Sequence, residues 1–205
     1  MHPYIGVLLS YLAGSVPFAY LAGRARGIDL RQHGSGNLGA TNAVRVLGRR
    51  IGGLVYLADT LKGLLPVLLL PEVVASPNRD LWAIAFGVAA VIGHVRPVFL
   101  LGKGGGKGVA TAGGVFLGLA WLPMLIAVVV FAVTLAVTRI VSVASLMAAV
   151  ALPIAMFIWA GPRSALLIVS FAMMVFVIWT HRSNIGRLRR GEEPRFGRKV
   201  EVSAR

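Results

Sequence analysis

Apolar residues in this chain gather into long runs: Tyr4 to Gly23, Ile51 to Leu70, Leu81 to Leu101, Val109 to Val137, Ile140 to Ala160 and Ala165 to Thr180. Most reach or exceed the ~20 residues that carry a helix across a bilayer. Polar residues are confined to the intervals: a basic loop from Arg24 to Arg50, a short segment with Glu72, Arg79 and Asp80, a glycine-lysine loop from Gly102 to Gly108, and a basic tail from His181. The pattern predicts an all-α polytopic membrane protein folded as a single domain over residues 1–205.

The placement of charge orients the runs. The first loop carries Arg24, Arg26, Arg31, Arg45, Arg49 and Arg50 against Asp29 alone, so the positive-inside rule makes it cytoplasmic and puts the N-terminus outside. Two more crossings return Lys103 and Lys107 to the cytoplasm. The tail, with Arg182, Arg187, Arg189, Arg190, Arg195, Arg198 and Lys199, also belongs inside, yet three runs separate it from Lys107. The long run Val109 to Val137 resolves the parity. At ~1.5 Å per residue it is too long for one untilted span and too short for two full ones, and Gly118 and Pro123 offer a break. Splitting it into a short helix near Val109 to Trp121 and a second ending near Val137 gives seven transmembrane helices, N-terminus outside and C-terminus cytoplasmic.

Composition agrees: 57% of the residues are hydrophobic and 14% charged, with mean hydropathy +0.81, beyond what a water-soluble domain hides. The net charge of +14 would suggest nucleic acid in a soluble protein, but here the cations flank apolar runs and no soluble module offers a groove reader, so no nucleic-acid partner is expected. Cysteine is absent, which excludes disulfides and thiolate chemistry. Only His2 stands in front of the first run as a polar residue, so an uncleaved helix is expected there rather than a signal peptide.

Four polar segments carry candidate chemistry. Gly34-Ser35-Gly36-Asn37-Leu38-Gly39-Ala40-Thr41-Asn42, followed by Arg45, satisfies a dinucleotide fingerprint in letters, but an arginine-rich stretch stands where that motif needs a buried strand. Its local physics survives: glycines let backbone approach an anion, and Ser, Asn and Thr cap a helix start. A plain tight connection between spans is the alternative. Lys103-Gly104-Gly105-Gly106-Lys107-Gly108 is a phosphate cradle by the same reasoning, or a positive-inside anchor. It is not a P-loop, because Leu101 replaces the first glycine and Gly108 the magnesium-binding hydroxyl. Thr138 to Ser145 is a tight turn with Arg139, Ser142 and Ser145. In the fourth segment, a last span continuing as helix would place His181 and Asn184 one turn apart on one face with Arg187 a turn further on, and a histidine there suits proton transfer. Within the spans, Asp59 and Lys62 stand at i, i+3 and form a mutually neutralised pair. His33, His94 and His181 lack partners at ligand spacing, so no metal and no cofactor are expected.

In order and spacing these segments resemble the acyl-phosphate:glycerol-3-phosphate acyltransferase family (PlsY) of bacterial membranes. The matching residues are Gly14-Ser15-Val16-Pro17, Ser35 to Asn42 with Arg45, Asp59 with Lys62-Gly63, Gly93-His94 with Pro97, Gly105 to Thr111, Ser142 with Ser145, and His181-Arg182, Asn184-Ile185, Arg187-Leu188, Gly191 and Glu193. The stretch Gly102 to Gly106 carries one residue more than the family pattern. The resemblance implies acyl transfer from acyl phosphate to the 1-position hydroxyl of glycerol 3-phosphate, giving lysophosphatidic acid and phosphate in phospholipid biosynthesis, at the cytoplasmic side of the bacterial inner membrane.

That chemistry needs two anion cradles and orientation of a hydroxyl rather than a catalytic triad, because a mixed anhydride already has a good leaving group. The resemblance implies Ser35, Lys107, His181 and Asn184 as catalytic residues, and Gly36, Asn37, Thr41, Asn42, Arg45, Gly105, Gly106, Gly108, Ser142, Arg187 and Glu193 as substrate-binding. Ser35, Arg45, Lys107, Ser142 and Asn184 would hold phosphates, and Asn37, Thr41 and Asn42 would shape the loop. Either His181 or the substrate phosphate would take the proton. The implied partners are acyl phosphate, glycerol 3-phosphate and membrane lipid, with the soluble enzyme that supplies acyl phosphate as a further candidate. The competing class is a membrane transporter of a phosphate ester or other organic anion. It would need polar residues on a route to both faces, whereas the outer side here offers only Glu72, Asn78, Arg79, Asp80 and Arg163, and no inverted repeat is visible.

Overall fold

The structure, a computed structural model, describes residues 1–197; Arg198 and Lys199 of the basic tail lie outside the described residues. All regular structure among the described residues is helical. The described residues divide into two compact units, 1–119 and 120–197.

The first unit contains α1 (Pro3–Ser15), α2 (Phe18–Arg24), α3 (Ala40–Leu47), α4 (Arg49–Val73), α5 (Arg79–Val95), a single 3-10 turn (Val98–Leu100) and α6 (Val109–Leu119). The first apolar run is thus broken rather than continuous. Pro17 has no N–H and pushes the preceding residue out of helical space, and Val16 is extended at φ −62°, ψ 114°. The Val16 carbonyl at this break accepts from the Phe18 N–H at 3.1 Å and from Lys62 Nζ at 2.8 Å.

Lipid supplies no hydrophobic force between helices, so packing there depends on close backbone approach at small residues. Gly14 of α1 lies on the Ala90 backbone of α5, and Gly93 of α5 on the Tyr11 carbonyl of α1; α4 and α6 meet the same way through Gly63 on Thr111 and Gly114 on Thr60. A methyl group at any of the four would overlap main-chain atoms. Around α4 the polarity is inverted relative to a soluble helix: Leu54, Tyr56, Leu57, Leu68 and Leu69 are exposed while Asp59 and Lys62 are buried. Such a broad apolar exterior suits lipid contact.

The second unit contains α7 (Trp121–Thr138), α8 (Val141–Ala160), α9 (Ala165–Thr180) and α10 (Arg182–Arg189), with α7 packed on α8 and α8 on α9. The long run breaks at Ala120, φ −157° and ψ 71°, between the expected breakers Gly118 and Pro123; Pro123 falls in the first turn of α7, where a missing N–H costs nothing. The turn into α8 is made by Arg139 in the left-handed region, φ 57°, a conformation costing a side-chain-bearing residue about 1 kcal/mol or more. Its carbonyl accepts the Phe196 N–H at 2.6 Å, tying the tail to the turn.

Among the described residues, five segments are long and apolar enough to cross a membrane by length and composition: Pro3–Arg24, Arg49–Val73, Arg79–Leu100, Trp121–Thr138 and Val141–Ala160. Ala165–Thr180 and Arg182–Arg189 form a pair bent by 56°, which makes a sixth when the two are taken as one span. The remaining apolar helix, α6, has 11 residues, about 16 Å of rise and half the apolar thickness of a bilayer.

Candidate active site

In the first unit the basic loop is a folded object and not a slack connection. Leu30 and Leu38 are buried in an apolar cluster with Ala19, Ala43 and Val55. Between these anchors Asn42, only 2% exposed, organises the turn: its Oδ1 accepts the Ser35 N–H at 2.9 Å, and its Nδ2 donates to the carbonyls of His33 at 3.0 Å and Leu30 at 3.3 Å. Asn42 therefore shapes the loop with its whole amide. The turn leaves Ser35 exposed, and Gly36 has φ 69°, a conformation that suits glycine. Thr41 and Arg45 follow on α3 at i, i+4 and share a face. At the loop's start Arg31 grips Asp29 through its side chain, at 2.6 Å between Nη2 and Oδ2, and through its backbone N–H at 3.0 Å; these bonds hold the Asp29 carboxyl down to about 2.

The glycine-lysine loop is joined to this turn by Asn37, whose Nδ2 donates to the Gly105 carbonyl at 3.3 Å. Its other support is His94 on α5. The Gly106 N–H donates to the His94 carbonyl at 3.2 Å, and the His94 imidazole lies against Gly106 so closely that a Cβ there would collide with Nε2 and come within 2.6 Å of Cε1. Gly106 and Gly108 are buried, Lys107 between them is half-buried, and α6 begins at Val109. The other edge of the imidazole faces a carboxylate: His94 Nδ1 lies 3.6 Å from Asp59 Oδ1, the same oxygen that Lys62 Nζ contacts at 2.8 Å. The sequence shows the Asp59 and Lys62 pair but gives no sign that His94 joins it.

The second unit gathers three of the expected residues around the carboxylate of a fourth, Glu193. Glu193 Oε1 accepts from Ser142 Oγ at 2.8 Å and from Asn184 Nδ2 at 2.5 Å, while Oε2 accepts from Arg187 Nε at 2.7 Å. Burial pushes the Glu193 carboxyl up, but the hydrogen bonds from Asn184, Ser142 and Arg187, with the Arg187 charge, outweigh it and hold the group below its ordinary value. A serine hydroxyl has one hydrogen, so Ser142 presents its lone pairs to anything else while this bond stands.

One expectation is corrected here. The last span does not continue straight through His181; the chain bends by 56° at that residue, which caps both α9 and α10. The bend turns the 3%-exposed imidazole back onto its own helix, where Nδ1 stands 2.8 Å from the Val177 carbonyl. A carbonyl only accepts, so Nδ1 carries the hydrogen, and in the neutral ring Nε2 is the basic nitrogen. Asn184 is also buried one turn on. Among the described residues, no three His, Asp or Glu side chains are grouped so as to hold a metal ion.

A family model described as glycerol-3-phosphate acyltransferase matches residues 4–191. A curated glycerol-3-phosphate acyltransferase of Prochlorococcus marinus (strain NATL1A) is 48% identical over 195 residues, covering 93% of this chain and 96% of its own. One of Geobacter sulfurreducens is 47% identical over 189 residues, covering 92% and 94%. Among solved structures, PlsY (YgiH), an integral membrane glycerol 3-phosphate acyltransferase in its glycerol 3-phosphate form, superposes with TM-score 0.88 at 36% identity over 95% of this chain and 96% of that one. Its lysophosphatidic acid form gives 0.85 at the same identity. The helical fold and these likenesses define an integral membrane acyltransferase. In particular, the chain belongs to the glycerol-3-phosphate acyltransferase family.

Proposed function

We propose that this enzyme transfers a fatty acyl group from acyl phosphate to the 1-position hydroxyl of glycerol 3-phosphate. The observation that carries this reading is the likeness, over nearly the whole chain, to a PlsY solved in a glycerol 3-phosphate form. The new ester bond joins the acyl carbon to the substrate oxygen, the acyl–phosphate bond breaks, inorganic phosphate leaves, and the hydroxyl proton passes to His181 Nε2 or to a substrate phosphate. The product is lysophosphatidic acid, a precursor of phospholipids.

The residues support distinct parts. Exposed Ser35 and Thr41, half-buried Arg45, the Gly36 backbone, and Lys107 among Gly105, Gly106 and Gly108 offer donors and positive charge to phosphate oxygens. Asn37 and Asn42 hold those loops in shape. In the second unit Ser142, Asn184 and Arg187 contribute polar groups that Glu193 positions, and His181 caps the helix that carries Asn184 and Arg187. Residues 1–205 act as one acyltransferase domain requiring no cofactor, and a soluble enzyme that makes acyl phosphate is its natural supplier.

Two measurements test this. With purified protein, phosphate release should require both acyl phosphate and glycerol 3-phosphate, persist in chelator, and be far slower with acyl-CoA; strict dependence on Mg²⁺ or on a CoA thioester would sink the reading. For topology, we place seven crossings in the bacterial inner membrane with the N-terminus outside and the loops at Gly34, Gly104 and Ser142 and the tail in the cytoplasm, on the positive-inside argument. Because native cysteine is absent, Pro77→Cys and Arg195→Cys should react with an impermeant thiol reagent from opposite sides. Labelling from the same side would refute the count.

A further inference from the structure

We infer that His94 is a positioning residue that sets the geometry of the phosphate-binding glycine loop, with its imidazole as the wall on which Gly106 rests and Asp59 as the group that fixes the ring. This rests on the reading of the 102–108 loop as a phosphate cradle.

Three observations converge. First, His94 touches the loop twice, through its carbonyl, which accepts the Gly106 N–H at 3.2 Å, and through its ring, whose atoms are the three nearest to a Cβ built at Gly106. Gly105 is held in the same way, since a Cβ there would overlap the carbonyls of Val95 and His94. The loop is therefore cast against the end of α5, and Lys107 is the next residue along.

Second, the ring does not choose its own orientation. Asp59 is 1% exposed, and its Oδ1 lies 3.6 Å from His94 Nδ1 and 2.8 Å from Lys62 Nζ. Lys62 is in turn fixed by the Val16 carbonyl at 2.8 Å and by the Phe18 ring, 5.4 Å from Nζ to centroid. A carboxylate opposite Nδ1 places the hydrogen there and leaves the Nε2 edge turned to the loop, the arrangement by which a supporting group fixes an imidazole's tautomer and direction.

Third, Asp59 Oδ2 and the hydroxyl of Thr111, at the start of α6, are buried without a hydrogen-bond partner. Thr111 sits on Gly63, one turn from Asp59 on α4. The acidic support thus flanks α6, the helix that begins two residues after Lys107, as well as the ring behind the loop.

The contact predicts a size complementation that a general packing role would not give. Gly106→Ala drives a methyl into the imidazole and should raise KM for glycerol 3-phosphate by roughly 10- to 100-fold, the cost of displacing a substrate-holding group by about 1 Å. His94→Ala should raise the same KM by several-fold. In the double variant the collision is gone, so adding Gly106→Ala to His94→Ala should cost less than about twofold; departures from multiplicative effects of this kind report direct contact. His94→Asn repeats the cycle with protection against misfolding, because its amide nitrogen replaces Nδ1 opposite Asp59 while the Nε2 edge is removed. It should keep the wild-type unfolding midpoint, raise KM, and relieve Gly106→Ala. Multiplicative losses in both cycles, or wild-type KM in folded His94→Asn, would overturn the inference. Failure of the cradle reading looks different: Lys107→Ala would then keep its KM and turnover while the His94 and Gly106 coupling persisted in stability.

Discussion

Replacing Lys107 by alanine should remove most activity from a protein that still folds and inserts. The residue stands between buried Gly106 and Gly108, two positions before α6, where a substrate phosphate meets ammonium and backbone N–H groups together. One charge-assisted contact of roughly 2 to 3 kcal/mol corresponds to a fall in kcat/KM on the order of 30- to 150-fold, and more if the lysine also stabilises the departing phosphate. Arginine should restore little. Its planar fork is wider than the ammonium it would replace, next to a glycine already seated on His94. A lysine serving only as a positive-inside anchor makes the opposite forecast: near-normal turnover in Lys107→Ala and good function in Lys107→Arg. Steady-state kinetics on the two purified variants decide between them.

The largest effect on stability should come from Asp59→Ala. Lys62 would then remain buried with its charge uncompensated, and losing one partner of a buried ion pair costs roughly 3 to 5 kcal/mol. Removing both charges with residues of similar size, as in Asp59→Leu with Lys62→Met, should recover much of that loss, because the desolvation of two charges is removed with their attraction. The thermal midpoint in detergent, followed by tryptophan fluorescence, is the measurement. A midpoint for Asp59→Ala equal to that of the wild type would show that the pair carries no structural load.

How far the sequence could be read follows from the range of each interaction. The spanning helices, the division of the Val109 to Val137 run and the four polar segments are local properties of hydropathy and residue type, and all could be located before the structure. The break at Pro17 was only half visible: the proline announces it, but the lysine that satisfies the Val16 carbonyl lies 46 residues on. The bend at His181 has no helix breaker to signal it. The contacts that organise the candidate site are longer still, such as Asn37 to the Gly105 carbonyl across 68 residues and Ser142 to Glu193 across 51. No periodicity marks such pairs, because they are set by how helices pack rather than by where apolar residues recur. The resemblance to a family supplied those residues by name without the contacts between them.

The attachment of Ser142, Asn184 and Arg187 to Glu193 bears on how the protein is made. A nascent chain could thread the apolar helices α1 to α9 into the bilayer and still leave these side chains unmoored, since their common acceptor follows α10. Assembly of this cluster is then a late event in synthesis, separate from insertion. For the same reason a protease that clipped the chain between Arg190 and Glu193 would sever the shared acceptor from its three donors while sparing α1 to α10.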